Sequence, residues 1–326
     1  MVTAATPSRT VIILANDNVA TWLTACLSSL RANSPQLVCK MIPFDEKTDK
    51  VKAIAEEYNV QFVQGKYLRD LTELGKAFCP EDRTAQHVFR KLAAFLVSNS
   101  SESVLFSDAD IVFLRPVEEL FEAFEKSDYQ LLYADSDITR VYADDAFAQR
   151  MVCDYDAKGI NTGFWMSRGN LFSLSDFYAL AERAESDKQF FDAKTMEQPF
   201  LNYCLDVTRK RYEHFSVVVK DFPRCSWGAL PAVRVGNTWF CSKTINDCSV
   251  PLYMLHWAGH GYGWNMTNKE IFLGALLRKS GRLGSAMIRS NWLRAHVVDL
   301  TVARLRRTAL ARPLRFLKRI LSRHYT

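Results

Sequence analysis

Val104-Leu105-Phe106-Ser107-Asp108-Ala109-Asp110-Ile111-Val112-Phe113-Leu114-Arg115-Pro116 is the stretch from which the rest of the chain is read. Residues 104–106 are apolar and follow the polar turn Ser98-Asn99-Ser100-Ser101-Glu102, which predicts a buried strand. Two acids one residue apart come next. In an extended chain side chains repeat every second residue, so Asp108 and Asp110 are expected on one face, with Ser107, Ala109 and Ile111 on the other. Adjacent carboxylates repel unless a cation lies between them. Their hard oxygens suit Mg²⁺ or Mn²⁺, ions that usually also hold phosphate oxygens. An acidic pair alone is a common loop feature, so its weight comes from its surroundings.

Those surroundings alternate strand and helix. The β-branched run 10–14 predicts a strand of a buried parallel sheet, closed by the turn Ala15-Asn16-Asp17-Asn18. Residues 21–31 carry Trp22, Leu23, Cys26, Leu27 and Leu30 at helical spacing. Strands at 36–44 and 60–63 flank a helix at 47–58, and a helix at 85–97 precedes the acid pair. Pro116 is expected at the first position of a helix to about 126, with Glu118 and Glu119 complementing its dipole. A strand at 129–134 ends in Asp135. A turn at Asn161 leads to a strand through Met166, and helices follow at 174–183 and after Glu197-Gln198-Pro199. Residues 209–250 promise only short strands. This is an α/β pattern with right-handed crossovers. In such sheets ligands bind beyond the carboxyl ends of the strands. Asn16-Asp17-Asn18, Asp108/Asp110, Asp135 and Asn161 all fall there, implying one polar cleft.

The chain has 326 residues, 48% hydrophobic, enough for one large domain or two. No apolar run approaches the roughly 20 residues of a membrane span, and no signal peptide is expected. Eight cysteines occur without a Cys-x-x-Cys pair, and Cys26, Cys153 and Cys204 are expected to be reduced core thiols. The net charge of +6 is uneven. Residues 279–326 hold twelve Lys or Arg and only Asp299, or +11, which leaves −5 for the remainder.

With these motifs in order, the sequence resembles retaining glycosyltransferases of the nucleotide-diphospho-sugar transferase fold, family 8 and its relatives. The resemblance runs from about Thr10 to Trp264. It implies one α/β domain over 1–275, with a mixed central sheet flanked by helices; the charge and apolar pattern of residues 276–326 separately predicts a basic helical tail. By the resemblance, Asn16 and Asn18 contact uracil and ribose, although Val19 stands where the family often has tyrosine. Lys91 in Phe89-Arg90-Lys91-Leu92 bridges nucleotide and sugar. Asp108, Asp110 and His256, the last in His256-Trp257-Ala258-Gly259, bind Mn²⁺ or Mg²⁺ on the diphosphate of a UDP-sugar. Asn161 and Gly163 hold the donor sugar. Glu197 and Gln198 stand near the anomeric carbon, and Asp135 bonds donor hydroxyls, so Gln198, Glu197 and Asp135 are the catalytic candidates. The family commonly has a lysine in the turn after the histidine. Here that turn reads Tyr262-Gly263-Trp264, leaving Tyr262, His260 or the metal alone to meet the leaving phosphate.

The expected activity is transfer of a sugar to a glycan, lipid-linked or protein acceptor. A non-catalytic sugar- or nucleotide-sugar-binding protein is the main rival. A sugar-phosphate nucleotidyltransferase is disfavoured because no glycine-rich phosphate loop follows the first strand. The tail interleaves Trp292, Leu300, Leu305 and Leu314 with arginines, a pattern of membrane-surface helices. A cytoplasmic location is therefore expected, with the tail able to attach to an anionic inner leaflet. No nucleic-acid motif is present.

Overall fold

The computed structural model of the chain describes residues 8–241, 250–259, 266–278 and Ser290. In chain order it begins with β1 (Arg9–Ala15), α1 (Ala20–Asn33), β2 (Val38–Pro43), α2 (Asp49–Glu57) and β3 (Gln61–Phe62). There follow α3 (Tyr67–Phe78), α4 (Arg83–Val88), β4 (Ser103–Asp108), β5 (Ile111–Phe113), α5 (Glu118–Glu125) and β6 (Leu131–Tyr133). Next come α6 (Asp145–Tyr155), β7 (Phe164–Arg168), α7 (Leu174–Ala184), α8 (Gln198–Val207) and β8 (Tyr212–His214). The hairpin of β9 (Ala232–Val235) and β10 (Thr238–Cys241), then β11 (Met254–His256) and α9 (Lys269–Leu276), complete the described chain.

Seven strands form one sheet in the order β3-β2-β1-β4-β7-β6-β8. Strand β1 sits inside it, parallel to β2 and β4. Both its faces are covered, which is why it reads as an unbroken apolar run rather than an alternation. Val11, Ile13 and Ala15 pack with Leu23, Cys26, Leu27 and Leu30 of α1. Ile12 and Leu14 point the other way, onto Phe89, Leu92 and Phe95. Each Val, Leu, Ile or Phe side chain so buried is worth about 1.5–3 kcal/mol over its exposed state.

The sheet is mixed, as expected, because β7 runs antiparallel to both β4 and β6. That reversal builds the cleft. Strands β1 and β4 end at one rim, with Leu14 level with Asp108. Strand β7 starts at the same rim, and the Asp108 amide donates to the Gly163 carbonyl at 2.8 Å.

Local details differ from expectation. The helix expected at 85–97 is α4 followed by a 3-10 segment, Phe89–Phe95. Phe89, Leu92 and Phe95 recur every third residue, and the three-residue turn aligns them on one face. Pro116 lies before the helix, whose N-cap is Val117. Asp108 and Asp110 are not successive positions of one strand: β4 ends at Asp108 and β5 starts at Ile111. They converge because the chain turns between them. Cys153 is exposed rather than buried, on the outward side of α6, whereas Cys26 and Cys204 are buried. Beyond the helices expected, the described residues hold three more, α3, α6 and α9. No described helix is long and apolar enough to cross a membrane. The tail expectation lies outside the described residues from 279 onward, Ser290 excepted.

Candidate functional site

At the rim lies a cavity of about 590 Å³. Leu14, Asn16, Asn18, Val19 and Phe44 line it beside β1, and Asp108 and Asp110 line it beside β4. Asn161, Thr162, Gly163, Glu197 and Gln198 close the side beyond β7, and Trp227 and His256 stand against the acids.

Strand β11 carries His256 to the acids by pairing antiparallel with β5, His256 opposite Ile111. The Trp257 amide then donates to the Asp110 carbonyl at 3.1 Å. One donor atom from each of Asp108, Asp110 and His256 falls within 4.8 Å of the others. His256 Nε2 is 3.3 Å from Asp110 Oδ1 and 3.8 Å from Asp108 Oδ2. Neither contact has hydrogen-bond geometry, so His256 Nδ1, His256 Nε2 and Asp110 Oδ1 are buried without a partner. Leaving such atoms unsatisfied costs about 1–3 kcal/mol each, and a cation shared by the two carboxylates and the imidazole would engage Asp110 Oδ1 and His256 Nε2, the ring nitrogen that faces both acids. The N/O donor set suits Mn²⁺ or a neighbouring transition ion, and also admits Mg²⁺. The ring of Trp227 stacks on His256 at 5.6 Å and 13°.

Burial pushes the Asp108 carboxyl up to about 6, against the lowering influence of Lys91 and with a further push from Asp110. Burial also acts on Asp110, but His256 outweighs it and holds that carboxyl below its usual value. His256 is raised in turn: burial works against its charge, and Asp110, Asp108 and Asp135 overcome it.

Gly163 explains itself by space. A Cβ there would stand 2.3 Å from His256 Cε1 and 2.8 Å from Asp108 Oδ2. The resemblance gives it a role in sugar binding; its geometry makes it the gap through which imidazole and carboxylate meet.

Lys91 is 5% exposed. Its Nζ lies 2.9 Å from Glu197 Oε1, 3.2 Å from Asp108 Oδ1 and 3.4 Å from Thr162 Oγ1. Burial opposes its charge, yet Asp108 and Glu197 raise its pKa above the usual lysine value. Glu197 also accepts from Thr162 Oγ1 at 2.6 Å. The carboxylate expected near an anomeric carbon is thus committed to the wall. Gln198 is more available. Its Nε2 donates to the Arg140 carbonyl at 3.1 Å, and its Oε1 takes only a long 3.4 Å bond from the Thr162 amide.

Three other expected residues are differently occupied. Asn16 donates to Asp45 Oδ2 at 2.9 Å and accepts from the Asn18 amide at 3.1 Å, so its side chain holds the turn. Asn161 Oδ1 accepts from the Gly163 amide at 2.9 Å, while Asn18 remains a lining residue. Asp135 does not line the cavity; it is 6% exposed, raised to about 6 by burial, and faces His256 and the Ser226 backbone. Tyr262, His260 and Trp264 lie outside the described residues.

The sequence reading missed Phe44, Arg140, Thr162, Lys194 and Trp227, all of which line the cavity. Thr162 was recoverable from its place between Asn161 and Gly163. The others carry no local signal.

The sequence model described as nucleotide-diphospho-sugar transferase matches residues 91–272. The structure is similar to the galactosyltransferase LgtC, solved in complex with donor and acceptor sugar analogues. Identity is 13%, coverage 83% of this chain and 96% of that one, and the TM-score 0.53. An active-site mutant of LgtC gives 14% identity, 82% and 94% coverage, and a TM-score of 0.53. The bifunctional glycosyltransferase WbbM gives 12% identity and a TM-score of 0.51, over 88% of this chain and 52% of that one. No curated protein sequence matches the chain.

Proposed function

Because the chain belongs to the nucleotide-diphospho-sugar transferase family, we propose that it is a metal-dependent glycosyltransferase that transfers a sugar from a UDP-sugar with retention of configuration. The acceptor in this reading is a glycan, lipid-linked or protein. Family membership carries the glycosyltransferase class. Metal dependence, donor and stereochemistry rest on the site.

The observation that carries the reading is the cluster of Asp108, Asp110 and His256, with three of its polar atoms buried and unbonded. These residues would hold Mn²⁺ or Mg²⁺, the imidazole favouring Mn²⁺. Bound there, the ion supplies Lewis-acid stabilisation of charge on a diphosphate leaving group.

The protein's own groups do the rest. Rupture of a sugar–phosphate bond puts positive, oxocarbenium-like charge on the anomeric carbon. Gln198 Oε1, with only one long bond, has a lone pair free to face that charge. Glu197, its charge shared with Lys91, and Asp135, behind His256, add field rather than contact. Retention follows if the acceptor oxygen attacks the face the diphosphate leaves, the departing oxygen taking the acceptor's proton. Attachment of the basic tail to an anionic inner leaflet belongs to the same reading; equal vesicle binding after truncation before Arg304 would remove it.

A panel of nucleotide sugars with Mn²⁺, compared with EDTA, tests the proposal. One UDP-sugar should be hydrolysed only with metal, and it should raise the melting temperature by the linkage RT ln(1 + [L]/Kd). Stabilisation without any release of UDP would favour a binding protein. An Asp108→Ala variant with unchanged turnover and metal dependence would overturn the scheme.

A further inference from the structure

We infer that the acceptor carries an anionic group, a phosphate or carboxylate, received by Arg140 and Lys194. The inference rests on the transferase reading and adds the acceptor's chemical class to it.

Both cations line the same cavity as the acids, and each comes from a separate 3-10 turn, Ile138–Arg140 and Ala193–Thr195. Both turns are tied to Gln198. The Arg140 carbonyl accepts Gln198 Nε2 at 3.1 Å. Lys194 is joined to Gln198 through Met196, held at φ 58° and ψ −107°. A non-glycine residue there is strained, so the surrounding structure fixes the path. The two cations therefore sit on turns that adjoin, one by a hydrogen bond and one along the chain, the residue proposed to face the anomeric carbon.

Their charges are not spent inside the protein. Lys91, by contrast, is compensated by Asp108 and Glu197. Arg140, with its side chain 73% exposed, has one ion pair, 3.7 Å to Asp137. Asp137 is also occupied as the cap of that turn, accepting from the Thr139 amide and hydroxyl. No described carboxylate pairs with Lys194.

Their position assigns the anion to the acceptor rather than the donor. Along the rim the strands run β1, β4, β7, β6. Asn16 and Asn18 follow β1, the acids follow β4, and Arg140 follows β6. A nucleotide seated from the β1 end with its phosphates at β4 leaves the β6 end for the second substrate. A guanidinium and an ammonium there match the oxygens of a phosphate or carboxylate.

The test uses the full chain saturated with Mn²⁺ and UDP, with glucose, glucose 6-phosphate, glucuronate and inorganic phosphate as probes. Binding is read by calorimetry and thermal shift. Glucose 6-phosphate and glucuronate should bind at least about tenfold more tightly than glucose, and Arg140→Ala with Lys194→Ala should abolish the difference. Lys194→Gln and Arg140→Gln check that loss of charge, not of packing, is responsible. Equal responses to charged and neutral sugars, including no response to either, would overturn the inference. So would inorganic phosphate binding as well as the sugar phosphate, or loss of UDP affinity in the double variant, which would assign the cations to the donor. Failure of the nucleotide-sugar hydrolysis panel, by contrast, strikes the transferase reading and leaves the anion measurement standing.

Discussion

Lys91 Nζ lies 2.9 Å from Glu197 Oε1, in a pocket where the lysine side chain is 7% and the glutamate 2% exposed. The same ammonium reaches Asp108 Oδ1 at 3.2 Å. One cation thus joins a carboxylate of the metal cluster to the residue preceding Gln198, across the start of β7.

Removing that cation leaves the buried Glu197 carboxylate and the partly buried Asp108 carboxylate without the charge they share. Breaking a buried pair by deleting one partner costs about 3–5 kcal/mol, mostly from the charge left behind. Lys91→Met should destabilise by about that amount in urea unfolding. Combining it with Glu197→Gln should recover part of the loss, because the second change removes the stranded charge. Strictly additive effects in this double-mutant cycle would show that the ion pair is not coupled.

Gly163→Ala should separate metal binding from folding. The added methyl meets His256 Cε1 and Asp108 Oδ2, so its strain falls on two candidate ligands. Disturbing such support typically costs about 10–100-fold in metal affinity, measurable by Mn²⁺ titration. Gly169→Ala is the control. Its methyl would meet the Asn99 carbonyl, away from the cluster, so it should lower stability and spare Mn²⁺ affinity. An Mn²⁺ affinity equal to wild type in Gly163→Ala would dismiss the steric account.

Much of this arrangement was legible from residue patterns. The apolar run ending at Leu14 and the strand ending at Asp108 announced themselves because buried strands need unbroken apolar side chains. The convergence of Asp108 and Asp110 was anticipated for the wrong local reason, since a turn rather than strand alternation brings them together. Strand direction is not written in any local pattern, so the antiparallel entry of β7 that delivers Gly163 came only through family resemblance. The commitments of Glu197 to Lys91 and of Asn16 to Asp45 span 106 and 29 positions, beyond any local signal. Arg140 and Lys194 look in sequence like any solvated cation. Helix α3 was readable in retrospect: Leu68, Leu71, Thr72 and Gly75 hold one face.

Gln198 is the side chain on which the proposed stereochemistry turns. If its carbonyl faces the developing positive charge, Gln198→Ala should lower kcat by about 10²–10³-fold with little change in donor KM, as loss of a transition-state interaction requires. NMR of the first-formed product should show the donor's anomeric configuration. An inverted anomer would end the retaining scheme even if Gln198 proved essential.

Away from the cavity, Asp206 should impose a pH dependence on stability. Its carboxylate is fully buried and accepts from Tyr142 Oη at 3.1 Å and from Tyr212 Oη. Burial pushes it up to about 7, against the lowering effect of the two tyrosine bonds. The folded state therefore holds the proton more tightly than the unfolded chain. Stability from this group is complete below about pH 4 and is lost as pH rises through about 7, an effect on the order of 4 kcal/mol. Asp206→Asn keeps a neutral hydrogen-bonding side chain without a titratable proton. Urea unfolding of both proteins from about pH 4 to about pH 8 should show the wild type losing stability relative to the variant across that window. Parallel curves would mean that Asp206 is already ionised in the fold at the acid end, with its two tyrosines outweighing burial.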